Sequence, residues 1–191
     1  MKIIEEYRKT KAILDSIISN NEFLNNVENI ANLCIKALKA NKKIMFCGNG
    51  GSAADSQHLA AELVSRFHFD RPGLSGLALT VDTSALTAIG NDYGYERSFA
   101  RQIEALGQEG DVLFGFSTSG RSKNIIEAFH AANNKNIITI GMLGVDGRDI
   151  GSLAKHVINI PSSETPKIQE GHIITGHIIC GLIEQGMFKS K

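Results

Sequence analysis

The chain has 191 residues, enough for one domain with a substantial core. Its 20 Lys and Arg balance its 20 Asp and Glu, so no net basic field is available to hold nucleic acid. No apolar run approaches bilayer length and the start, Met1-Lys2-Ile3-Ile4-Glu5-Glu6, lacks a signal-peptide pattern, which argues against a membrane partner and for the cytoplasm.

The first forty residues read as a helical extension. Ile3, Tyr7, Leu14, Ile17 and Ile18 fall on one helical stripe, and Phe23, Val27, Ile30, Ala31, Cys34 and Leu38 on another. Ser19-Asn20-Asn21 is the expected break between them. From residue 43 onward, short apolar runs at 44–47, 77–81, 112–116, 137–143 and 157–160 alternate with helical stretches. That order predicts βαβ units and a parallel sheet covered by helices on both faces. Gly144-Val145-Asp146-Gly147 reads as a turn. Thr165-Pro166 opens a last helix towards Phe188. Cys34, Cys47 and Cys180 are odd in number and scattered, as buried thiols of a reducing compartment are.

Between the first run and the next helix stands Cys47-Gly48-Asn49-Gly50-Gly51-Ser52. A glycine turn lets backbone approach a ligand, and the free N–H groups and dipole of the following helix favour an anion. Ser52 and Asp55 have capping-box spacing, which places the helix start at Ser52. His58 and Glu62 then share one helical face above the turn. Gly48, Gly50 and Ala53 also match the dinucleotide pattern G-x-G-x-x-A, with Asp82 after the next run, so this loop alone leaves a Rossmann reading open. A pyrophosphate has no use for His58 and Glu62, however, and a second ligand loop follows.

That loop is Ser117-Thr118-Ser119-Gly120-Arg121-Ser122, at the end of the third run and before a helix. Four hydroxyls in six residues at such a place form a donor set for phosphate oxygens. Both loops lie at carboxyl ends of parallel strands, where open α/β sheets bind ligands. Asn91-Asp92 reads on its own as a turn. Gln169, His172 and His177 are polar positions on the apolar last helix, and helical spacing does not select His177 over His172.

Together these residues resemble the sugar isomerase (SIS) family and, within it, the phosphoheptose isomerases. The resemblance covers nearly the whole chain through CGNGGSAADSQHLAAEL, RFHFDRPG, IGNDYG, EGDVLFGFSTSGRS and KIQEGHIITGH. It implies one SIS domain over residues 1–191, with a helical extension at 1–40 and an α/β core at 43–191. The expected fold class is α/β, a three-layer sandwich with a five-stranded parallel sheet. By the same resemblance, Asn49, Gly50, Gly51, Ser52, Glu62, Asn91, Asp92 and Gln169 line the sugar, and Ser117, Thr118, Ser119 and Ser122 hold its phosphate. His58, Glu62, Gln169 and His177 match zinc-binding positions, one ion per subunit, and Glu62 and His177 match the acid–base pair. The family is homotetrameric with sites shared between subunits. Two positions depart from its pattern: Lys167 stands where arginine is common, and Arg121 occupies a variable position of the phosphate loop.

The resemblance implies conversion of sedoheptulose 7-phosphate to D-glycero-D-manno-heptose 7-phosphate through an enediol, the first step of nucleotide-activated heptose synthesis for lipopolysaccharide core or capsule. No redox cofactor is required. Three relatives compete. A non-catalytic SIS protein that binds the replication initiator DnaA has no need of the carboxylate and imidazoles. Sugar-phosphate-sensing regulators join the fold to a DNA-binding domain, and arabinose 5-phosphate isomerases usually carry further C-terminal domains.

Overall fold

The five apolar runs form five strands of one parallel sheet in the order β2-β1-β3-β4-β5. The structure is a computed structural model and describes residues 1–188. Two helices, α1 (Lys2–Ile18) and α2 (Asn21–Lys39), precede β1 (Ile44–Cys47), and α3 (Gly51–Val64) leads to β2 (Gly76–Ala78). Then come α4 (Thr83–Tyr93), a 3₁₀ turn at Tyr95–Arg97, α5 (Ala100–Leu106), β3 (Val112–Ser117) and α6 (Lys123–Asn134). The chain continues through β4 (Ile138–Leu143), α7 (Arg148–Leu153), β5 (His156–Asn159) and α8 (Thr165–Phe188).

Successive strand side chains point to opposite faces, so the sheet builds two cores. Phe46, Phe114, Phe116, Ile140 and Met142 face α2, α3 and α8. Met45, Cys47, Leu113 and Leu143 face α5, α6 and α7. Each large side chain buried in this way contributes about 1.5–3 kcal/mol relative to exposure. Strands buried on both faces read as continuous apolar runs, which is why periodicity found them.

The N-terminal stripes differ in fate. Asn20 caps α2 by accepting from the Phe23 N–H at 3.0 Å, and the second stripe packs against the sheet layer, buried from Val27 onward with Phe23 partly covered. No residue of α1 is buried, and Ile3, Ile4, Tyr7 and Ile18 are exposed. A polar tie holds α1 to α8: the buried Lys167 donates to Thr10 Oγ1 and Glu170 Oε1, each at 3.0 Å.

Three local expectations are corrected. The helix after β1 starts at Gly51 and not at Ser52, and no capping box forms. Gly50, at φ 58°, occupies the N-cap position, a left-handed conformation that glycine adopts without a Cβ penalty. The second strand stops at Ala78 and not at residue 81, because it is an edge strand with β1 alone to pair, and the Phe46–Ala78 pair ends the register. Asn91 and Asp92 are in the last turn of α4, and the chain reverses at Gly94, φ 89°. Asp82, the residue a dinucleotide site would use, caps α4 by accepting from the Ala85 N–H at 2.9 Å.

Candidate active site

β1 and β3 are adjacent, with Cys47 paired to Gly115, so the loops that leave their carboxyl ends are neighbours. Asn49 and Asn124 join them. Their amides exchange two hydrogen bonds, of 2.9 and 2.8 Å, and the Tyr95 hydroxyl donates to Asn49 Oδ1 at 2.9 Å. Asn124 is buried in the first turn of α6, directly after the hydroxyl loop. In that loop, Ser117 and Ser122 share a hydrogen bond of 2.8 Å, and Ser119 Oγ accepts from the Arg121 N–H at 3.3 Å. Ser122 stands at the N-cap of α6 without using its side chain as a cap, which leaves the hydroxyl directed to the loop.

α3 and α8 pack closely along their length. A Cβ on Gly176 would stand 2.6 Å from Leu59 Cδ1, so glycine is what lets the two helices approach. This contact brings together side chains 119 residues apart. His177 Nε2 lies 2.8 Å from His58 Nε2, and His58 Nε2 lies 3.1 Å from Glu62 Oε1. The ligand atoms of His58, Glu62 and His177 all fall within 4.8 Å of one another. Two imidazole nitrogens and a carboxylate oxygen at that spacing fit one divalent ion with a position left open. Partial burial, and secondarily a charge on His58, pull the His177 pKa below its ordinary value, while Glu62 opposes them.

Asp55 precedes His58 by one turn. Its Oδ2 is buried without a hydrogen-bond partner among the described residues, and burial raises its pKa against the opposing pull of His58. His172, the other candidate on α8, is fully buried and makes a 3.1 Å bond from Nε2 to the Leu143 carbonyl, its ring edge-on to Phe116. The structure thus separates a packing histidine from the one in the cluster.

A model of the SIS domain matches residues 7–144. The phosphoheptose isomerase of Sulfurimonas denitrificans is 50% identical over 186 residues, which cover 97% of this chain and 95% of that protein. That of Aneurinibacillus thermoaerophilus is 52% identical over 179 residues, covering 94% and 90%. The chain belongs to the phosphoheptose isomerase family. Among solved structures, the phosphoheptose isomerase of Neisseria gonorrhoeae superposes with a TM-score of 0.90 at 40% identity, covering 96% of this chain and 97% of that one.

Within this isomerase the expected site residues fall into groups. His58, Glu62 and His177 form the cluster. Gly51, Ser52 and Gln169 stand together at the glycine turn, where Gln169 Nε2 donates to Ser52 Oγ at 3.5 Å. Gln169 is therefore two turns, about 12 Å, along α8 from His177. Asn49 bonds Asn124 and Tyr95, beside Ser117, Thr118, Ser119 and Ser122. Asn91 donates to Asp92 Oδ1 at 2.7 Å, and Asp92 lines a groove between β2, α4 and α5 with Ala85, Ile89 and Arg101. Sequence reasoning missed Asp55, Tyr95 and Asn124. Asp55-x-x-His58-x-x-x-Glu62 is a visible one-face pattern, and Asn124 stands two residues after the hydroxyl loop's last serine, but nothing local marks Tyr95.

Proposed function

We propose that this chain converts sedoheptulose 7-phosphate, a ketose, into D-glycero-D-manno-heptose 7-phosphate, an aldose, as the first step of nucleotide-activated heptose synthesis. The observation that carries the reading is the His58–Glu62–His177 cluster, in a chain half identical to named phosphoheptose isomerases over nearly its whole length. The reaction moves a proton from C1 to C2 and a second from one oxygen to the other. Glu62 takes the C1 proton and returns it to C2 of the enediol. His177 serves the oxygens, a task suited to an imidazole, which can accept a proton at one ring nitrogen and return it. Ser117, Thr118, Ser119 and Ser122 take the phosphate. Fixing that remote group orients the reacting carbons. Asn49, Gly50, Gly51, Ser52, Asn91, Asp92 and Gln169 are assigned to the sugar.

His58, Glu62 and His177 would hold a zinc ion, one per subunit, with Gln169 assigned by family resemblance as its fourth ligand. Bound there, zinc supplies a Lewis acid for the carbonyl and the enediolate oxygens. A carboxylate that ligates a cation is a weaker base, so Glu62 would have to loosen from the ion to accept a proton. The enzyme is assigned to the cytoplasm and to a homotetramer with shared sites. The exposed face of α1 supports the assembly: Ile3 and Tyr7 line an apolar groove with Ile173 and Ile174 of α8.

Purified protein is tested with sedoheptulose 7-phosphate and, in parallel, arabinose 5-phosphate, each followed by chromatography of the products. Formation of the heptose aldose with little turnover of the pentose is expected. Turnover of the pentose alone, or of neither sugar, refutes the proposal.

A further inference from the structure

Two charged side chains next to the site are withdrawn from water and meet each other. Arg71, in the loop after α3, and Glu184, on α8, have side chains 2% and 0% exposed, with Arg71 Nε 3.1 Å from Glu184 Oε1. Burying such a pair costs desolvation that its attraction need not recover, so stability alone is a poor reason for it. Its remaining hydrogen bonds are more informative. Arg71 donates to the Leu63 carbonyl at 2.6 Å, the Glu62 carbonyl at 2.7 Å and the Pro72 carbonyl at 3.1 Å. Glu62 and Leu63 belong to the last turn of α3, whose carbonyls have no helical partners. Glu184 accepts from the Phe67 N–H at 2.9 Å and the His68 N–H at 2.7 Å.

Glu184 follows His177 by two helical turns and shares its face. The Phe67 ring, carried on the backbone that Glu184 holds, lies 5.6 Å from the His177 ring and 4.4 Å from that of His68. One guanidinium therefore grips the end of the helix that bears His58 and Glu62. One carboxylate, on the helix that bears His177, grips the loop that covers its imidazole.

We propose that the buried Arg71–Glu184 pair is a positioning device that sets Glu62 against His177 by locking α3, the following loop and α8 into one arrangement. Neither residue touches a reacting atom. They act through the Glu62 backbone and through Phe67. The inference rests on the functional reading above, and its signature is specific. Misplacing the cluster lowers kcat and metal affinity, while KM is set largely at the phosphate end by the hydroxyl loop and stays near its original value.

The test uses full-length protein with Arg71→Lys, Glu184→Gln and Phe67→Leu, the last removing only the ring contact and leaving the buried pair intact. kcat, KM for sedoheptulose 7-phosphate, zinc affinity by competition with a chromophoric chelator, and the unfolding midpoint are measured. Loss of a group that orients metal ligands typically costs about 10–100-fold in affinity or activity, so falls of at least about tenfold in kcat and zinc affinity are expected, with KM changed by less than about threefold. Folded Arg71→Lys and Glu184→Gln proteins with wild-type kcat and zinc affinity overturn the proposal. If both fail to fold, Phe67→Leu decides: a loss of kcat at constant KM sustains it, and wild-type behaviour overturns it. The wild-type arm tests the functional reading separately, because it must turn over the sugar before any variant is compared.

Discussion

His172 offers a test of how the two histidines of α8 divide their work, since burial holds its pKa down to about 4 from an ordinary 6.5, with the Leu143 carbonyl bond pulling the other way. The fold accepts the neutral ring, and Nδ1 has no partner for a second proton among the described residues. As pH falls, the unfolded chain takes up this proton first. The contribution is therefore fully present above about pH 6.5 and is lost progressively down to about pH 4. At about 1.4 kcal/mol per pKa unit the whole loss is about 3 kcal/mol, of which about 2 kcal/mol is gone by pH 5. His172→Gln places an amide N–H near the Nε2 position and cannot titrate. Urea unfolding of both proteins at one fixed protein concentration, from pH 7.5 to 4.5, isolates the effect, because every other titrating group is common to both. Wild-type stability is expected to fall more steeply, and the curves should converge or cross on the acid side. Parallel curves refute the reasoning, whatever the constant offset from repacking against Phe116.

Glu62→Gln should keep the fold and lose about 10²–10⁴-fold in kcat, the usual contribution of a general acid–base group; a folded variant with near wild-type kcat removes Glu62 from the chemistry. His177→Ala should lose both turnover and zinc, whereas His172→Ala should chiefly lose stability, and the reverse pattern in metal analysis would reassign the ligand. Ser119→Ala should narrow the preference for sedoheptulose 7-phosphate over sedoheptulose, by about 1.5–3 kcal/mol if a hydrogen bond to a charged oxygen is lost. Equal slowing of the two sugars would mean that the loop does not read phosphate. Tyr7→Asp places a charge on the exposed stripe of α1 and should dissociate the proposed tetramer; an unchanged mass in sedimentation would show that this face is not the interface.

The interactions that the sequence by itself determined are short-range or repetitive. Runs such as 112–116 are apolar throughout because both faces of the sheet are covered, and the two glycine- and hydroxyl-bearing loops follow such runs directly. His58 and Glu62 meet because they are four apart on a helix, a relation independent of the rest of the chain. Tertiary packing overrode local signals elsewhere. Ser52 is buried beside Gln169 instead of capping α3, and Asn91-Asp92 stays helical until Gly94 turns the chain. No local rule distinguishes His177 from His172. The choice depends on which side of α8 meets α3, where Gly176 seats Leu59 and carries His177 to His58, and which side meets the sheet, where His172 finds Leu143 and Phe116. The partnership of Arg71 with Glu184 is hidden for the same reason. Residues 113 apart become neighbours only through the packing of whole helices, whose energy is summed over many apolar contacts and written in no single segment.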